Sequence, residues 1–172
     1  DKVSQMLSDR LGQGSRFKVD VRYDKALDPM EGLPTPQECL ERLQSVQAKH
    51  KISFDPGSAE LDAASSLAMG ALAQALKNCA KIKLEIGGHT DAQGSTQGNL
   101  ALSQARAEAV LMALLNHDVD VSAMRAVGYG ESVPIADNAT DAGRETNRRI
   151  EFTLIKAASG AVPSPNDKPA VE

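Results

Sequence analysis

The stretch KIKLEIGGHTDAQGSTQGNLALSQARAEAV, residues 81–110, holds a strand, a loop and most of a helix in succession. In residues 81–86 apolar and charged side chains alternate, which predicts a half-buried strand. Gly87 and Gly88 follow at once and predict that the strand ends there in a loop. The next residues predict an amphipathic helix with an apolar side formed by Leu102, Ala105, Ala109, Met112 and Ala113.

Comparable elements flank this unit on both sides. They are predicted at residues 52–54 (strand), 61–76 (helix), 124–130 (strand) and 148–154 (strand). Strands that alternate with helices form a sheet covered by helices on at least one face. The sequence therefore predicts an α/β domain of the α+β sandwich type over residues 37–156, with the order β-α-β-α-β, a loop or short helix, and a last β. Helices pack on its mixed four-stranded sheet.

The remaining sequence predicts three less regular segments. Residues 1–23 predict a helix followed by a strand, residues 24–36 a proline-rich linker, and residues 157–172 a disordered tail. Near the end of the linker, Thr35 predicts a helix N-cap, and Glu38 three residues later completes a capping box.

Composition excludes several classes of function. The formal net charge of −4 gives no general attraction to nucleic acid or to an anionic membrane surface. Aromatic residues make up 3% of the chain, with no Trp, too few for a platform that stacks on bases or sugars. No apolar run approaches the roughly 18 residues of a membrane span. We therefore expect no nucleic-acid partner.

The sequence has two cysteines, Cys39 and Cys79, which alone are too few for a four-ligand metal site. The three histidines lack the spacing of metal ligands. Each cysteine is predicted in, or at the end of, a helix that precedes a strand. This placement suggests a disulfide, with two buried reduced thiols as the alternative. A disulfide would indicate an oxidising compartment, either the periplasm or the cell exterior.

Asp91 and Arg106 are the main candidates for a functional pair. Asp91 follows a predicted strand at the end where open sheets carry their sites, and Arg106 lies in the next helix. The two side chains can form an internal salt bridge. They can also bind a zwitterion, with Asp91 taking its ammonium and Arg106 its carboxylate. Catalysis has little support, because no serine lies in a G-x-S-x-G sequence and His89 is a lone loop histidine.

Five motifs, colinear over about residues 48–155, resemble one known family. They are FDPGSAEL (54–61), GGHTDAQGS (87–95), NLALSQARAEAV (99–110), GYGESVPIADN (128–138) and NRRIEF (147–152). The chain resembles the OmpA C-terminal-like peptidoglycan-binding domain, the module shared by peptidoglycan-associated lipoproteins and flagellar stator anchors. The segment 1–36 falls outside the resemblance and is similar to the end of a BON-type module.

The resemblance implies a module of the periplasm that is not an enzyme and needs no metal or cofactor. It implies that the module tethers a protein of the envelope or outer membrane to the cell wall by binding peptidoglycan. An envelope protein-protein assembly module without wall binding is the alternative, and further envelope protein partners are compatible with either. The resemblance also implies that Cys39 and Cys79 form a disulfide.

The implied ligand is the meso-diaminopimelate of the stem peptide, whose free end carries an ammonium and a carboxylate on one carbon. Asp91 and Arg106 match the positions that bind it in the family. The supporting positions carry over to Phe54, Asp55, Thr90, Asn99, Leu102, Ser103 and Arg148.

Overall fold

The computed structural model of the protein describes Arg10 and residues 33–77, 79 and 82–155. The chain divides into two compact units, Asp1–Glu31 and Gly32–Glu172. Apart from Arg10, which is helical, the helix and strand predicted in the first 23 residues lie outside the described residues. The predicted tail lies outside them as well. The description that follows concerns the second unit.

Helices and strands alternate along this unit. Its elements are α1 (Pro36–Lys49), α2 (Ser65–Lys77), β1 (Leu84–His89), α3 (Thr96–Asn116), β2 (Met124–Gly130), α4 (Asp141–Asn147) and β3 (Ile150–Leu154). None of the helices in the described part of the chain is long and apolar enough to cross a membrane.

The sheet has β1 at its centre, in the strand order β2-β1-β3. β2 runs parallel to β1 and β3 runs antiparallel to it, so the sheet is mixed. α3 packs against β2 and β1, while α1 packs against α2 and β3. The core formed by these elements includes Leu43, Leu72, Leu84, Val110 and Phe152, all at most 1% exposed. The predicted class, helices packed on a mixed sheet, is confirmed.

α1 begins as the sequence predicts. The Thr35 hydroxyl accepts the backbone N–H of Glu38 at 3.2 Å, and the Glu38 carboxylate accepts the backbone N–H of Thr35 at 2.7 Å. This reciprocal pair satisfies amide groups that the first helical turn leaves without partners. Cys39, fully buried on the same helix, forms a disulfide with Cys79, two residues after the end of α2. The predicted disulfide therefore ties α1 to the end of α2.

β1 begins and ends later than the sequence pattern predicts. The strand continues through Gly87 and Gly88, which had indicated a loop. Close packing of α3 is the reason, because a Cβ atom on Gly88 would lie 2.1 Å from the carbonyl oxygen of Ser103. These glycines therefore bring strand and helix together, and the strand runs on to His89.

The segment around Ile52 and Phe54, expected to be a fourth strand, does not join the sheet. Three strands form the sheet in the described residues, and Phe54 makes an isolated antiparallel bridge to Leu61. The backbone of Ser53 is bonded to the start of α2 instead. Its N–H donates to the Ser65 hydroxyl at 2.7 Å, and its carbonyl accepts from that hydroxyl at 2.8 Å. These groups are therefore not available to a neighbouring strand.

α3 buries a different face from the one that apolar spacing predicts. Met112, expected inside, is 52% exposed, and Leu102 is partly exposed. The buried residues of α3 are Asn99, Ser103, Arg106, Ala107, Val110 and Leu114. The prediction of the buried side was wrong because half of these buried residues are polar. The spacing of apolar residues cannot identify a helix face that buries polar side chains.

Candidate functional site

A cavity of about 110 Å³, here called the site cleft, opens beside the carboxyl end of β1. It is lined by Lys51, Ile52, Ser53, Phe54, His89, Arg106, Glu145, Arg148 and Arg149. Charged side chains thus dominate the lining, which suits a charged ligand. Within the described ranges, no group of three His, Cys, Asp or Glu side chains could hold a metal ion.

Asp91 follows β1 and is 6% exposed. The backbone before it is fixed, because the Thr90 N–H donates to the Gly130 carbonyl at 2.9 Å and so prolongs the contact with β2. The Asp91 carboxylate accepts the Gln93 N–H through Oδ1 at 2.9 Å and forms an ion pair with Arg148 through Oδ2. Asp91 is therefore a fixed and nearly buried negative charge next to the cleft.

Arg106 reaches the cleft from the buried face of α3 and is 9% exposed. Its Nε donates to the Ser58 carbonyl at 2.9 Å, and its guanidinium carbon lies 5.0 Å from the centroid of the Phe54 ring, a cation–π distance. Burial lowers the pKa of Arg106 below its ordinary value, the nearby Arg148 lowers it further, and Asp91 opposes both. In the part of the chain that the structure describes, no carboxylate forms a salt bridge with Arg106.

Arg148 contacts a second carboxylate besides that of Asp91. Its Nη2 lies 2.5 Å from Oε2 of Glu145, three residues earlier, and Glu145 also pairs with Lys51. The hydrogen bond from Lys51, followed by that from Arg148, lowers the pKa of the Glu145 carboxyl. The pKa of Arg148 is raised, chiefly by its hydrogen bond to Glu145. Lys51, Glu145, Arg148 and Asp91 thus form a row of alternating charges along the cleft.

Asn99 holds the loop that carries Asp91. From the first turn of α3, its Nδ2 lies 3.3 Å from the Asp91 carbonyl oxygen, 3.0 Å from that of Gln93 and 2.5 Å from Oε2 of Glu131. The residue is 8% exposed, so these contacts are largely shielded from water. Asn99 therefore positions Asp91 through its backbone.

Two buried polar atoms at the carboxyl end of β1 and in the residue after it have no hydrogen-bond partner among the described residues. They are Nδ1 of His89, which is 4% exposed, and Oγ1 of Thr90, which is 5% exposed. Burial, followed by the neighbouring Arg149, lowers the pKa of His89 to about 4, so its ring is neutral at physiological pH. An unsatisfied buried polar atom costs about 1–3 kcal/mol, and such atoms are places where a ligand group can bind.

Six of the residues predicted for the site are brought together. Phe54, Arg106 and Arg148 line the cleft. Asp91, bonded to Arg148, lies beside it with its neighbour Thr90, and the Asn99 side chain bonds to the Asp91 backbone.

The other three predicted residues lie outside the lining of the cleft. Asp55 is exposed in a turn, and Leu102 is partly exposed on α3. Ser103 is fully buried, and its hydroxyl donates to the Leu100 carbonyl and accepts the Gly130 N–H, both at 2.8 Å. Ser103 thus ties α3 to the end of β2.

Three further charged residues of the cleft, Lys51, Glu145 and Arg149, were not predicted as site residues from the sequence. Glu145 had a usable signal, because a carboxylate three residues before Arg148 meets it on one face of a helix. Lys51 had none, because its contact with Glu145 joins residues 94 positions apart.

Comparison with protein families gives a match to the OmpA family over residues 53–148. Among curated proteins, the probable lipoprotein YiaD of Escherichia coli is 35% identical over 144 residues, covering 84% of this chain and 66% of YiaD. The peptidoglycan-binding protein ArfA of Mycobacterium tuberculosis is 34% identical over 125 residues, covering 72% of this chain and 38% of ArfA. The chain thus spans less than two thirds of the length of these relatives.

A solved structure with the same fold is that of the peptidoglycan-associated lipoprotein from Burkholderia pseudomallei. It aligns with a TM-score of 0.57 and 31% identity, and the alignment covers 74% of this chain and 100% of that one. A further relative is named for the outer membrane, the outer membrane porin F of Pseudomonas aeruginosa, which is 37% identical over 152 residues and of which the match covers 43%. Its name agrees with the envelope localisation predicted from the sequence.

Proposed function

The chain belongs to the OmpA family, and we propose that it binds peptidoglycan non-covalently and so anchors an envelope protein to the cell wall. The proposed ligand group is the meso-diaminopimelate of the stem peptide, recognised at its zwitterionic free end. ArfA and the Burkholderia lipoprotein, both named for peptidoglycan, support peptidoglycan as the polymer that is bound. We propose binding alone, without catalysis.

One observation carries the proposal. Asp91 and Arg106 have opposite charges, each is more than nine-tenths buried beside the same cleft, and no salt bridge joins them among the described contacts. A buried charge without a partner is costly, because its attraction to water is lost. A ligand carboxylate would supply the missing partner of Arg106, and a planar guanidinium can hold it with two parallel hydrogen bonds.

The carboxylate of Asp91 has room for an ammonium as well. Two ionised oxygens offer about four acceptor positions, and the contacts described for Asp91 come from the Gln93 N–H and from Arg148. An ammonium in the cleft would share this carboxylate with Arg148. The zwitterion thus meets one fixed charge of each sign.

We propose different roles for the supporting residues. Thr90 would bind the ligand directly, because its hydroxyl is buried without a partner beside Asp91. Phe54 would keep the guanidinium of Arg106 in place. Asn99 would fix the loop that carries Asp91, and Ser103 would maintain the packing of α3 against β2. For two of the proposed positions, Asp55 and Leu102, none of the contacts in the described part of the chain assigns such a role.

Co-sedimentation with purified sacculi and calorimetric titration with free meso-diaminopimelate test the proposal. We expect Asp91→Asn and Arg106→Met to weaken binding at least about 30-fold, or about 2 kcal/mol, because each leaves one ligand charge without its partner. The matched controls are Glu60→Gln and Arg42→Gln, which remove the same charges from exposed positions. Circular dichroism should show that all four variants are folded.

Variants of Asp91 or Arg106 that sediment with sacculi like wild type would refute the assigned site. A wild-type protein that binds neither ligand would refute peptidoglycan binding and favour the alternative, a module that assembles envelope proteins. Soluble fragments released from sacculi during incubation would contradict the absence of catalysis.

A further inference from the structure

A second cavity, of about 260 Å³, adjoins the site cleft on the side of α1. It shares Lys51, Ile52, Arg148 and Arg149 with the lining of the cleft, so a ligand in the cleft can extend into it. The Gln47 side chain closes part of it by donating to the Ile150 carbonyl at 3.1 Å. We refer to this cavity as the basic groove, because Lys51, Arg148 and Arg149 are its charged lining residues.

The charges around the cleft and the groove do not balance. Lys51, Arg106, Arg148 and Arg149 contribute four cations, and the carboxylates that pair with them are Asp91, Glu145 and Glu151. A zwitterion has no net charge, so its binding would leave the excess of one positive charge in place. A ligand with one further carboxylate would remove that excess.

The position of Lys51 makes it the group to which such a carboxylate can bind. Its side chain is 59% exposed and lies between the cleft and the groove, and its ammonium has three donors. Glu145, its partner, is also bonded to Arg148 and can keep that contact when Lys51 turns to a ligand.

From these observations we propose that the basic groove binds a second carboxylate of the same peptide ligand, so that the site prefers an acidic peptide to the zwitterion alone. This inference rests on the proposed function and deepens it. In a stem peptide the second carboxylate has two possible sources, the α-carboxylate of the γ-linked glutamate and the carboxylate at the peptide's C-terminus. Both offer the same chemistry to Lys51.

Titration with three synthetic peptides tests the inference. The reference is L-Ala-γ-D-Glu-meso-diaminopimelate. One analogue carries a carboxamide at the glutamate α-carbon, and the other a carboxamide at the C-terminus of the peptide. We expect one of the two amides to bind about three- to tenfold more weakly than the reference, the range of a partly exposed charge-assisted contact. The weaker analogue identifies the carboxylate that the groove takes.

For each variant we compare two affinities, that for the reference peptide and that for the more weakly bound amide. The readout is the first divided by the second. Lys51→Gln should reduce the ratio to about one, because the cation that distinguishes carboxylate from amide is gone, and Lys51→Arg should preserve it. Lys49→Gln is the matched control, since it removes an exposed cation from the end of α1, two residues before Lys51. Its ratio should equal that of wild type.

If free meso-diaminopimelate binds but all three peptides bind equally, the inference is wrong and the proposed function stands. A ratio that survives in Lys51→Gln also overturns the assignment to the groove. If wild type binds neither the free amino acid nor any of the peptides, the proposed function is wrong and the inference is wrong with it.

Discussion

Asp91 forms its ion pair with Arg148, while Arg106 is held over the ring of Phe54, with 5.0 Å from its guanidinium carbon to the ring centroid. The sequence left open whether Asp91 and Arg106 neutralise one another, and the described contacts contain no salt bridge between them. Apart from its Nε, Arg106 donates no hydrogen bond among these contacts. The aromatic ring thus keeps a buried cation in place without neutralising its charge.

Phe54→Leu should therefore weaken binding of meso-diaminopimelate by about three- to tenfold. Leucine keeps an apolar contact but removes the ring face that attracts the guanidinium, an interaction of about 0.5–2 kcal/mol. Isothermal titration calorimetry measures the change. Phe54→Tyr is the control, because it retains the ring and should bind within about twofold of wild type. Equal affinities of the Leu and Tyr variants would show that the ring does not support Arg106.

Gly128 should be intolerant of any side chain, whereas Gly70 should accept one. A Cβ on Gly128 would lie 2.4 Å from the backbone nitrogen of Gln104, so α3 would have to move away from β2. We expect Gly128→Ala to cost at least about 2 kcal/mol of unfolding free energy. A Cβ on Gly70, within α2, meets nothing within 4 Å, and Gly70→Ala should gain about 0.5–1 kcal/mol from helix propensity. Urea denaturation of both variants measures the difference, and a Gly128→Ala protein as stable as wild type would contradict the close packing.

Local signals explain which elements could be predicted from the sequence. The start of α1 depends on Thr35 and Glu38, three residues apart, and β2 occupies the predicted residues 124–130. The end of β1 could not be predicted in this way, because Gly88 is required by a contact with Ser103, 15 positions later, rather than by a turn. A glycine that permits a turn and a glycine that permits close packing of a helix cannot be distinguished from the local sequence.

The residues of the candidate site could likewise be predicted only where the local sequence carries a signal. Asp91, Arg106 and Arg148 carry signals in short motifs, and the structure brings all three to one place. The buried face of α3 was predicted wrongly because the site itself makes that face polar. Lys51 and the basic groove depend on the contact of distant segments, which no local pattern encodes.

The disulfide should contribute stability that a reductant removes. Cys39 and Cys79 are separated by 40 positions, and a loop of that length corresponds to about 4 kcal/mol in the chain-entropy model, within a typical range of about 2–4 kcal/mol. Thermal unfolding with and without dithiothreitol measures the effect in wild type. The double variant Cys39→Ala, Cys79→Ala is the control and should not respond to reductant. Identical unfolding of oxidised and reduced wild type would contradict a stabilising role.

Stability should fall as the pH is lowered from 6.5 towards 4, and His89 should account for part of the loss. The pKa of His89 is lowered from 6.5 to about 4, first by burial and then by Arg149, so between these values the unfolded chain binds a proton that the folded protein does not. In this window the free energy of unfolding falls by up to about 1.4 kcal/mol for each pH unit. The variant His89→Phe can keep the stacking on Tyr129. Between pH 7.5 and 5, its free energy of unfolding should fall by up to about 2 kcal/mol less than that of wild type.

Urea denaturation at both pH values measures this difference between the proteins. His50→Gln is the control, because His50 is exposed in the folded protein and meets solvent in both states. Its stability should fall with pH in parallel with that of wild type. A His89→Phe protein that follows wild type as closely as His50→Gln does would contradict this account. It would show that His89 takes up its proton as readily in the folded state as in the unfolded one, and that burial and Arg149 do not hold the ring neutral.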